Sequence, residues 1–402
     1  MQIGEVASFQ NGYAFKSKDF VQDGEYKIIK IKELKDGKVR FFNDSASVNV
    51  DDERIIEKYI VEKGDVLFAL TGDPVNKNNP LSWVGRVSVY EDDQLAVLNQ
   101  RVCKLVPKEG LNAKYIYYYF RAFNNFYALA SIAKGSASQA NISTKDIEAM
   151  EIALPSLNIQ NKIVSVLDSI EEKINQNNKI NKNLLQQAQA LFISWFVDYE
   201  PFGGKMPDNW ENMSVYELAD YINGAAFKKN EYADTGLPII KIAELKNGIT
   251  DSTQRCCVKK DEKYYIDDRD ILFSWSGNPD TSIDTFIWSM GRAILNQHTF
   301  RVVSKYDAPA FTFFLLKYLK PQFTHIASNK QTTGLGHVTV ADLKRLQFRA
   351  NASVIAEFNA LVMPMFDLIY SKYKEIQQLS DLRDALLPKL MSGELDVSDI
   401  DL

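Results

Sequence analysis

The stretch that decides the fold is residues 163–196, IVSVLDSIEEKINQNNKINKNLLQQAQALFISWF. Its apolar residues recur at alternating steps of four and three, at Ile163, Leu167, Ile170, Ile174, Leu184, Ala188, Leu191 and Trp195. An apolar stripe that repeats every 3.5 residues needs a second helix to cover it. At about 1.5 Å per residue this helix would be roughly 50 Å long. The sequence therefore predicts one long helix that packs against a partner helix.

Composition indicates a folded, soluble protein. The chain has 402 residues, of which 46% are hydrophobic and 25% are charged, and this length suits two or three domains. No run approaches the ~18 apolar residues of a membrane span. The start, MQIGEVASFQ, lacks the basic and apolar regions of a signal peptide. We therefore expect a cytoplasmic protein.

The cysteines, histidines and net charge limit the kinds of site that the chain could carry. Cys256 and Cys257 are adjacent, and the three cysteines form neither a disulfide framework nor a metal spacing. His298, His325 and His337 form no metal cluster, so we expect no metal and no other cofactor. The net charge of −5 argues mildly against a protein that coats nucleic acid without sequence preference. It leaves open a sequence reader with locally clustered basic residues.

The chain contains a tandem duplication of roughly 200 residues. Five segments of the first half return in the second half in the same order: NGYAFK (11–16) as NGAAFK (223–228), YKIIKIKELKDG (26–37) as PIIKIAELKNG (238–248), GDVLFALTGDP (64–74) as RDILFSWSGNP (269–279), LNQRVCKLV (98–106) as LNQHTFRVV (295–303), and NISTKDIEAMEI (141–152) as HVTVADLKRLQF (337–348). These segments alternate in the manner of short strands and turns. We therefore expect two domains of similar fold.

The long helix belongs to the repeat. Its counterparts lie near the C-terminus, with Phe358, Val362, Met365 and Ile369 answering the first four seam residues and Leu379, Leu386 and Leu390 answering Leu184, Leu191 and Trp195. Both seams contain polar positions, Asn177 and Asn181 in the first and Lys372 and Arg383 in the second. Such positions lower stability but can fix register and partner. We therefore interpret these four residues as register or subunit-docking positions.

Two irregularities accompany the repeat. Pro364 lies inside the second helix, where proline costs about 3 kcal/mol, so we expect a kink or a helix restart at residues 362–364. The second block follows a lead-in, FGGKMPDNWENMSVYEL (202–218), whereas the first begins almost at once with IGEVASF (3–9). Either the first copy is shortened at its start, or the C-terminal segment LMSGELDVSDIDL (390–402) fills the gap.

This organisation resembles the DNA-specificity subunit of type I restriction–modification systems. The resemblance covers essentially the whole chain and rests on the order domain, long helix, domain, long helix. It also rests on the repeated segments above, on GSASQANIS (135–143) with its counterpart TTGLGHVT (332–339), and on the terminal LRDALLPKLMSGEL (382–395).

The resemblance implies an α+β protein whose two target-recognition domains are separated by a pair of long antiparallel coiled-coil helices. We expect a first recognition domain at residues 1–154 and a first spacer helix at 155–200. A linker and the second recognition domain follow at 201–350, a second spacer helix at 351–392, and a C-terminal tail at 393–402. The two halves form a pseudo-twofold tandem repeat.

The same resemblance implies a function. Each recognition domain would bind one half of a split site in double-stranded DNA, and the helix pair would act as a ruler for the gap between the half-sites. Two methyltransferase subunits would dock on the helices, and restriction/translocase subunits would join the full complex. The chain itself would perform no chemistry.

Candidate DNA-binding residues lie on loops that follow buried strands, because base edges are read by amide, basic and hydroxyl side chains held on rigid loops. The first group lies on and beside TGDPVNKNNP (71–80), and a second lies in AKGSASQANIS (133–143). These residues are Thr71, Asp73, Asn76, Lys77, Asn78, Asn79, Lys134, Ser136, Ser138 and Gln139. The alternative for each residue is an ordinary solvated loop position.

The second copy offers an equivalent set. SWSGNPDTS (274–282) and NKQTTGLGH (329–337) contribute Ser274, Trp275, Asn278, Lys330, Gln331, Thr332 and Thr333. Gly-, Ser- and Lys-rich loops can hold phosphate through backbone N–H groups, although neither loop has the spacing of a nucleotide-binding P-loop. The loops differ between the copies while the strands are kept, as expected if the two domains recognise different sequences.

Three further pairs have open roles. Lys16 and Lys228 follow the repeated Asn-Gly and could hold phosphate or be ordinary surface lysines. Arg86 and Arg292 both follow glycine and could contact DNA or be structural. The amide pairs of the repeated LNQ, Asn99–Gln100 and Asn296–Gln297, lie in strand-like sequence, so we favour a structural role over base reading for them.

Enzymatic alternatives have weaker support. Glu33-x-Lys35 and Glu244-x-Lys246 resemble part of a metal-dependent nuclease site, but such a site also needs an upstream acidic residue, which the first copy lacks, so a turn-flanking role is favoured. Asn79-Pro80-Leu81 and Asn278-Pro279-Asp280 lack the second proline and the aromatic residue of a methyltransferase motif. The main alternative to DNA recognition is a coiled-coil scaffold whose two domains bind proteins. A stand-alone nuclease is a distant third.

Overall fold

The computed structural model describes residues 1–74, 82–136, 139–331 and 334–399. The chain divides into two compact units. Unit 1 comprises Met1–Glu171 and Asp381–Leu402, and unit 2 comprises Glu172–Ser380. Both units mix helices with sheets, as the sequence predicts, and the C-terminal segment belongs to the first unit.

Unit 1 is built on short strands. In chain order they are β1 Ala7–Asn11, β2 Phe20–Val21, β3 Tyr26–Ile29, β4 Leu34–Lys35, β5 Lys38–Val39, β6 Ser47–Val48, β7 Ile60–Val61, β8 Val66–Ala69, β9 Thr71–Gly72, β10 Val87–Val89, β11 Ala96–Leu98, β12 Val102–Pro107, β13 Lys134–Ser136 and β14 Gln139–Asn141. They form a six-stranded sheet in the order β1-β12-β8-β10-β5-β4 and a five-stranded sheet in the order β2-β6-β3-β11-β7. A small sheet, β13-β14-β9, lies at the loop end of β8.

Helices pack on both larger sheets of unit 1. They are α1 Ile3–Val6, α2 Glu53–Tyr59, α3 Ala113–Arg121, α4 Phe123–Ser131, α5 Thr144–Glu148 and the long α6 Leu157–Phe196. Helix α2 lies against β7 and β11 of the five-stranded sheet. Phe68 of the six-stranded sheet, Phe120 of α3 and Leu167 of α6 lie in one buried core. Each fully buried side chain of this size contributes about 1.5–3 kcal/mol. The dense aromatic residues of α3 therefore have a packing role.

Unit 2 repeats this scaffold. Its strands are β15 Glu211–Ser214, β16 Ala219–Asn223, β17 Leu237–Ile240, β18 Arg255–Cys256, β19 Tyr265–Ile266, β20 Ile271–Ser274, β21 Ser276–Gly277, β22 Asp284–Ile287, β23 Ala293–Leu295, β24 Thr299–Ser304, β25 Gly336–His337 and β26 Gln347–Ala350. Its helices are α7 Val215–Leu218, α8 Ile242–Asn247, α9 Pro279–Ser282, α10 Pro309–Tyr318, α11 Lys320–Asn329, α12 Val340–Arg345 and α13 Ala352–Ser392.

Strand register confirms the duplication at the level of residue pairs. In unit 1, β3 runs parallel to β11 with Ile28 opposite Val97, and in unit 2, β17 runs parallel to β23 with Ile239 opposite Ile294. The antiparallel pairs β1–β12 and β16–β24 each match five residue pairs. The sequence repeat is therefore a repeat of backbone hydrogen-bonding pattern, and a residue of one unit can be assigned its counterpart in the other.

The two long helices run antiparallel. Within unit 2, Lys173 of α6 lies 3.6 Å from Glu375 of α13, while Phe192 further along α6 contacts Phe358 near the start of α13, with ring centroids 5.6 Å apart. Within unit 1, the core combines Leu167 of α6 with Leu390 of α13. These contacts confirm the predicted pairing of helices.

The predicted seam holds in the first half of α6 and shifts in the second. Ile163, Leu167, Ile170 and Ile174 are buried, whereas Leu184, Leu191 and Trp195 are only half-buried. The deepest positions near the end of α6 are instead Phe192 and Phe196, one residue further along. An α-helix has 3.6 residues per turn, so a stripe extrapolated at 3.5 drifts around the helix over several turns. The aromatic core of unit 2 then takes the adjacent residues.

The four polar seam positions differ between the two helices: the asparagines of α6 are buried, and the cations of α13 form ion pairs. Asn177 and Asn181 are almost fully buried, at 0% and 2% exposure. The ammonium of Lys372 donates to Glu375 Oε2 at 2.7 Å, and Arg383 Nη1 donates to Glu171 Oε1 at 2.9 Å. Burial alone would lower the pKa of Arg383, but the carboxylates of Asp384 and Glu171 raise it.

Pro364 does not restart the second helix. Helix α13 continues without a break from Ala352 to Ser392, so the expected restart at residues 362–364 is wrong. The proline removes one backbone hydrogen bond, while Val362 and Phe366, on either side of it, are anchored in the core of unit 2. Tertiary packing therefore overrides the local cost of the proline.

The C-terminal segment packs on unit 1. Val397 is buried in the same core as Ile163 and Leu390, and Lys162 Nζ donates to the carbonyl of Ser398 at 2.5 Å. In unit 2 the lead-in supplies Trp210, which contacts Phe196 and Phe202 with ring centroids 5.7 and 5.3 Å away. Residues 393–399 therefore belong to unit 1, and the lead-in at 202–218 belongs to unit 2.

One helix is long and apolar enough to cross a membrane by length and composition. An 18-residue window of α13 has a mean hydropathy of 1.5, which departs from the expectation that no stretch approaches a membrane span. A single such helix is weak evidence, because core helices of soluble proteins pass the same test. Phe358, Val362 and Ile369 of α13 lie in the core of unit 2.

Candidate nucleic-acid interface

Residue 73, just after β9, and residues 82–86, just before β10, form a clamp in unit 1. The Asp73 carboxylate accepts a hydrogen bond from the backbone N–H of Trp83 at 2.8 Å. Arg86 Nε donates to the carbonyl of Ser82 at 2.8 Å, and its guanidinium lies 3.9 Å from the centroid of the Trp83 ring. Burial of Arg86 lowers the pKa of its guanidinium. Asp73 and Arg86 therefore both bind to the segment Ser82–Trp83; Asn76, Lys77, Asn78 and Asn79 lie outside the described residues.

A depression of about 550 Å³ opens beside this clamp. Its lining residues are Ile31, Lys32, Thr71, Gly72, Asp73, Trp83 and Gln139. Thr71 is 4% exposed, and its hydroxyl donates to the carbonyl of Ala140 at 3.1 Å and accepts from Gln139 Nε2 at 3.3 Å. The Thr71 side chain thus links strand β14 to strand β9, while Gln139 lies at the surface.

The hairpin of β13 and β14 forms one side of this depression. Lys134, Ser136 and Gln139 are exposed, as contact with DNA would require. Lys134 Nζ lies 3.7 Å from Asp146 Oδ1, and Asp146 also closes the capping box of α5 with Ser143. Ser138 lies outside the described residues.

A turn after β11 brings in two residues that sequence reasoning missed. Arg101 Nη1 donates to Asn141 Oδ1 at 3.4 Å, and both side chains are exposed. Asn141 lies on the same side of β14 as Gln139, because alternate residues of a strand share a face, and Ala140 between them is buried. We call Lys32, Asp73, Trp83, Arg101, Gln139 and Asn141 the polar face of unit 1.

In each LNQ segment the asparagine is buried and the glutamine is exposed. Asn99 and Asn296 are buried, at 9% and 8% exposure, and the Asn296 amide oxygen accepts from the backbone N–H of His298 at 3.3 Å. The structural role favoured from the sequence is confirmed for Asn296. Gln100 and Gln297 are exposed and stand beside Arg101 and His298.

Unit 2 has a comparable surface with different side chains. Trp275 is half-buried, donates from Nε1 to Asn223 Oδ1 at 3.2 Å, and lies 5.7 Å from the ring of His298. Ser276 pairs with His337 across β21 and β25. We call Asn223, Trp275, Gln297, His298 and His337 the polar face of unit 2.

Two other predicted residues of unit 2 have structural positions. Ser274 is fully buried in β20. The Asn278 side chain is exposed, but its Oδ1 caps α9 by accepting from the backbone N–H groups of Asp280 and Thr281, each at 3.1 Å. The structure therefore does not place Ser274 at the surface with Trp275.

The loop before β25 carries an anchored lysine. Lys330 forms an ion pair with Asp342, whose side chain is 4% exposed and also accepts from the backbone N–H and hydroxyl of Thr339 at 2.7 and 2.6 Å. This pair is the counterpart of Lys134 with Asp146. Gln331 is exposed, and Thr332 and Thr333 lie outside the described residues.

Lys16 and Lys228 occupy equivalent surface positions. Each is the exposed residue before a 3-10 turn, Ser17–Asp19 or Lys229–Glu231. Within the described ranges neither lysine takes part in an ion pair at 4.0 Å or less. Both ammonium groups are therefore available to a phosphate.

Arg86 and Arg292 are not counterparts, although both follow glycine. Arg86 precedes β10, whereas Arg292 precedes β23 and pairs with Glu262 and with Asp267, the latter at 2.9 Å. By strand register the counterpart of Arg86 is Asp284. Burial alone would raise the pKa of Asp284, but Lys317 and Lys320 hold it below its ordinary value.

The Glu-x-Lys segments have a structural role. Glu33 accepts from the backbone N–H of Lys30 at 3.1 Å and from the hydroxyl of Ser45 at 2.7 Å, and Glu244 accepts from the N–H of Lys241 at 3.0 Å. Burial raises the pKa of Glu33. Both glutamates cap a short helical segment, Ile31–Glu33 in unit 1 and α8 in unit 2, so their role is structural, but Glu244 and Lys246 lie within a helix and do not flank a turn. Across the described ranges, no three His, Cys, Asp or Glu side chains are grouped to hold a metal ion.

Comparison with known proteins identifies a matching family and several relatives of this chain. Residues 1–186 and 207–349 match the profile described as "Type I restriction modification DNA specificity domain". The chain is 26% identical over 322 residues to the type I restriction enzyme MjaIX specificity subunit of Methanocaldococcus jannaschii, covering 75% of this chain and 73% of that protein. It is 21% identical over 346 residues to the HindI specificity subunit of Haemophilus influenzae, covering 67% and 74%.

A solved structure supports the fold. The crystal structure of a type I restriction–modification S subunit from M. genitalium aligns with a TM-score of 0.57 at 15% identity, covering 99% of this chain and 96% of that one. At this identity the likeness concerns the fold alone. The two regions matched by the family profile supply the assignment. This chain belongs to the type I restriction–modification DNA specificity family, with the family's domain present twice.

Proposed function

We propose that this chain binds a bipartite sequence in double-stranded DNA, with one half-site bound by each unit. The observation that carries the proposal is the pair of polar faces. Each lies on the same strand scaffold, beside β9 and β14 in unit 1 and beside β21 and β25 in unit 2, while the exposed side chains differ. A common scaffold with different hydrogen-bonding groups is what recognition of two different sequences requires.

The proposed contact set is narrower than the predicted one. It keeps the exposed or half-exposed residues Lys16, Lys134, Ser136, Gln139, Lys228, Trp275 and Gln331, together with the predicted residues outside the described ranges. Thr71, Asp73, Arg86, Asn278 and Lys330 would support loops through the bonds described above. Arg292, held by two carboxylates, and Ser274, fully buried, are left out.

The helix pair would set the distance between half-sites. Helices α6 and α13 have 40 and 41 residues, which corresponds to about 60 Å each. Half-sites on one face of B-DNA recur about every 34–36 Å, so each helix is long enough to act as the ruler. Asn177, Asn181, Lys372 and Arg383 would fix the register of the pair or dock another subunit.

The chain would act without chemistry of its own. In this proposal it presents DNA to two methyltransferase subunits and to restriction/translocase subunits, in the cytoplasm. The support is membership of the specificity family. Purified chain with DNA and Mg²⁺ should leave the DNA uncut, and cleavage would point to a nuclease instead.

Mapping methylated bases tests the central claim. The chain is expressed with its methyltransferase in cells that lack other methylation, and modified adenines are located across the genome. A motif of two short blocks separated by a fixed unread gap supports the proposal. A continuous motif, or methylation that does not depend on this chain, would overturn it.

A further inference from the structure

We infer that residues 101 and 141 in unit 1, and their counterparts 298 and 337 in unit 2, form a matched pair of base-reading positions that makes the two half-sites differ. This inference rests on the proposed function and goes beyond it by assigning the difference in specificity to four side chains. It begins from backbone equivalence.

Position 141 matches position 337 by strand register. Asn141 lies opposite Thr71 and Ala140 opposite Gly72 in unit 1. His337 lies opposite Ser276 and Gly336 opposite Gly277 in unit 2. The next residue makes the same hydrogen bond in both units, Ile142 N to Leu70 O at 2.9 Å and Val338 N to Trp275 O at 2.8 Å.

Position 101 matches position 298 through a shared turn. In unit 1 the turn is closed by Val102 N to Asn99 O at 2.9 Å and held by Gln100 N to Tyr13 O at 2.9 Å. In unit 2 the same bonds are Thr299 N to Asn296 O at 3.1 Å and Gln297 N to Ala225 O at 2.9 Å. The backbone therefore presents Arg101 and His298 from the same place.

The hydrogen-bonding chemistry at these positions differs. In unit 1 the Asn141 amide oxygen accepts from Arg101 Nη1 with one of its two lone pairs, so the pair presents mostly donors, namely the remaining guanidinium N–H groups and the Asn141 amide N–H groups. A donor-rich pair fits the O6 and N7 acceptors of guanine in the major groove. In unit 2 the pair is His298 and His337, and a neutral imidazole offers one donor and one acceptor. The two units would therefore accept different base edges.

The variants for the test are Arg101→Ala, Asn141→Ala, His298→Ala and His337→Ala in the full chain expressed with its methyltransferase. Lys63→Ala is the matched control, because Lys63 is an exposed basic residue beside Asp93 at the opposite end of β8 from Thr71. The readout is the methylated motif across the genome. Recognition of the unaltered half-site reports that each variant is folded.

Arg101→Ala and Asn141→Ala should each relax one position of a single half-site, and Arg101→Ala should relax a guanine. His298→Ala or His337→Ala should relax the other half-site. The loss of discrimination expected for one good base contact is about tenfold to a hundredfold. Lys63→Ala should leave both half-sites and the gap unchanged.

A second variant covers the case in which Arg101→Ala abolishes methylation. Arg101→Lys keeps the positive charge but loses the planar fork of donors. If Arg101 reads a base, Arg101→Lys retains methylation with a relaxed motif. If Arg101 only contacts phosphate, it retains the original motif, and the inference is overturned.

Two failures remain distinct. If the wild-type chain directs methylation to a split motif and the four alanine variants keep it unchanged, the inference fails and the proposed function stands. If the wild-type chain produces no split motif, the proposed function fails and the inference fails with it.

Discussion

The guanidinium of Arg86 lies 3.9 Å from the centroid of the Trp83 ring, and its Nε donates to the carbonyl of Ser82 at 2.8 Å. Asp73 holds the same segment from the other side through the N–H of Trp83 at 2.8 Å. These contacts join residue 73, just after β9, to residues 82–86, just before β10.

Arg86→Ala should therefore remove the contacts of residue 86 with Ser82 and Trp83. A cation–π contact in a partly buried site contributes about 0.5–2 kcal/mol and a hydrogen bond from a charged donor about 1.5–3 kcal/mol. We expect the free energy of unfolding of unit 1 to fall by about 2 kcal/mol, measured by urea denaturation. Arg86→Lys retains the charge without the planar stack and should recover only part of the loss. A change below about 0.5 kcal/mol for Arg86→Ala would show that the stack is not a stabilising contact.

The Asp342 carboxylate makes the stability of unit 2 depend on pH. Burial alone would raise its pKa, but hydrogen bonds from Lys330 and Thr339 hold the pKa below its ordinary value of 3.8. A carboxyl whose pKa is lower in the folded state stabilises the fold above the unfolded pKa, and this stabilisation is lost as the pH falls through the folded pKa.

Asp342→Asn should accordingly destabilise unit 2 at pH 7 by about 1–2 kcal/mol, the usual value of a capping interaction. The difference from wild type should shrink as the pH falls below the ordinary value of 3.8, where the unfolded carboxyl is protonated, and should continue to shrink until the pH passes the lower pKa of the folded state. Thermal unfolding at several pH values measures this. Asp146→Asn is the matched variant in unit 1, where Lys134 is 3.7 Å away and the Asp146 side chain is 30% exposed, so its effect should be smaller. An equal difference at all pH values would contradict the assignment.

The alternation of residues in strands and the internal repeat predicted the fold well, whereas loop composition predicted the exposed site residues less well. Ile28 and Ile239 fall on matching parallel strands as expected, because alternation and repeat order are local properties. Thr71 and Ser274 do not follow the expectation of exposure, because the direction of a side chain at a strand end depends on the partner strand. The contact of Arg101 with Asn141 joins residues 40 positions apart, and no local sequence pattern predicts it.

Loop lengths explain why Arg86 and Arg292 are not equivalent although both follow glycine. Arg86 and Arg292 share a dipeptide, yet they precede different strands, since the segment between β8 and β10 is not the same length as that between β20 and β22. Equivalence between the copies is therefore reliable in paired strands and unreliable in the loops, which is also where recognition residues are expected.

The buried amides in the helix pair should lower the stability of the pair while fixing the register of its two helices. Asn177 and Asn181 are almost fully buried on α6, where an apolar seam would carry leucine. Asn177→Leu with Asn181→Leu should raise the melting temperature of unit 2, because polar seam residues lower stability while fixing register. The same variant should broaden the set of gap lengths accepted in methylation mapping. Higher stability with an unchanged single gap would remove the register role.

Electrostatic contact with DNA should be visible as salt dependence. The logarithm of the affinity falls with the logarithm of salt concentration with a slope of about −0.9 per phosphate contact in B-DNA. Lys16→Ala and Lys228→Ala should each reduce the slope by roughly one, measured by fluorescence anisotropy with the target duplex. Lys63→Ala serves as the control and should leave the slope unchanged. Binding that is insensitive to salt would favour the protein-binding scaffold over the DNA reader.

Shortening the helix pair should shorten the accepted gap. Residues 175–181 of α6 face residues 368–374 of α13, because the helices run antiparallel with Lys173 3.6 Å from Glu375 and Phe192 against Phe358. Removing both segments therefore deletes one heptad from facing stretches. Seven residues correspond to about 10 Å of helix, and base pairs are spaced by about 3.4 Å. Because the deletion also removes Asn177 and Asn181, the accepted gaps should be centred on a length about 3 base pairs shorter, while both half-site sequences remain the same.

The control for this prediction deletes residues 175–181 alone, which leaves the facing helix at full length and should disrupt methylation rather than shorten the gap. Folding of the double deletion is checked by continued recognition of both half-sites, because each depends on its own unit. Loss of Lys374 from α13 also removes its 2.8 Å ion pair with Asp268, so Lys374→Ala is tested separately and should leave the gap unchanged. A double deletion that methylates DNA at the original spacing would show that the helices do not set the distance.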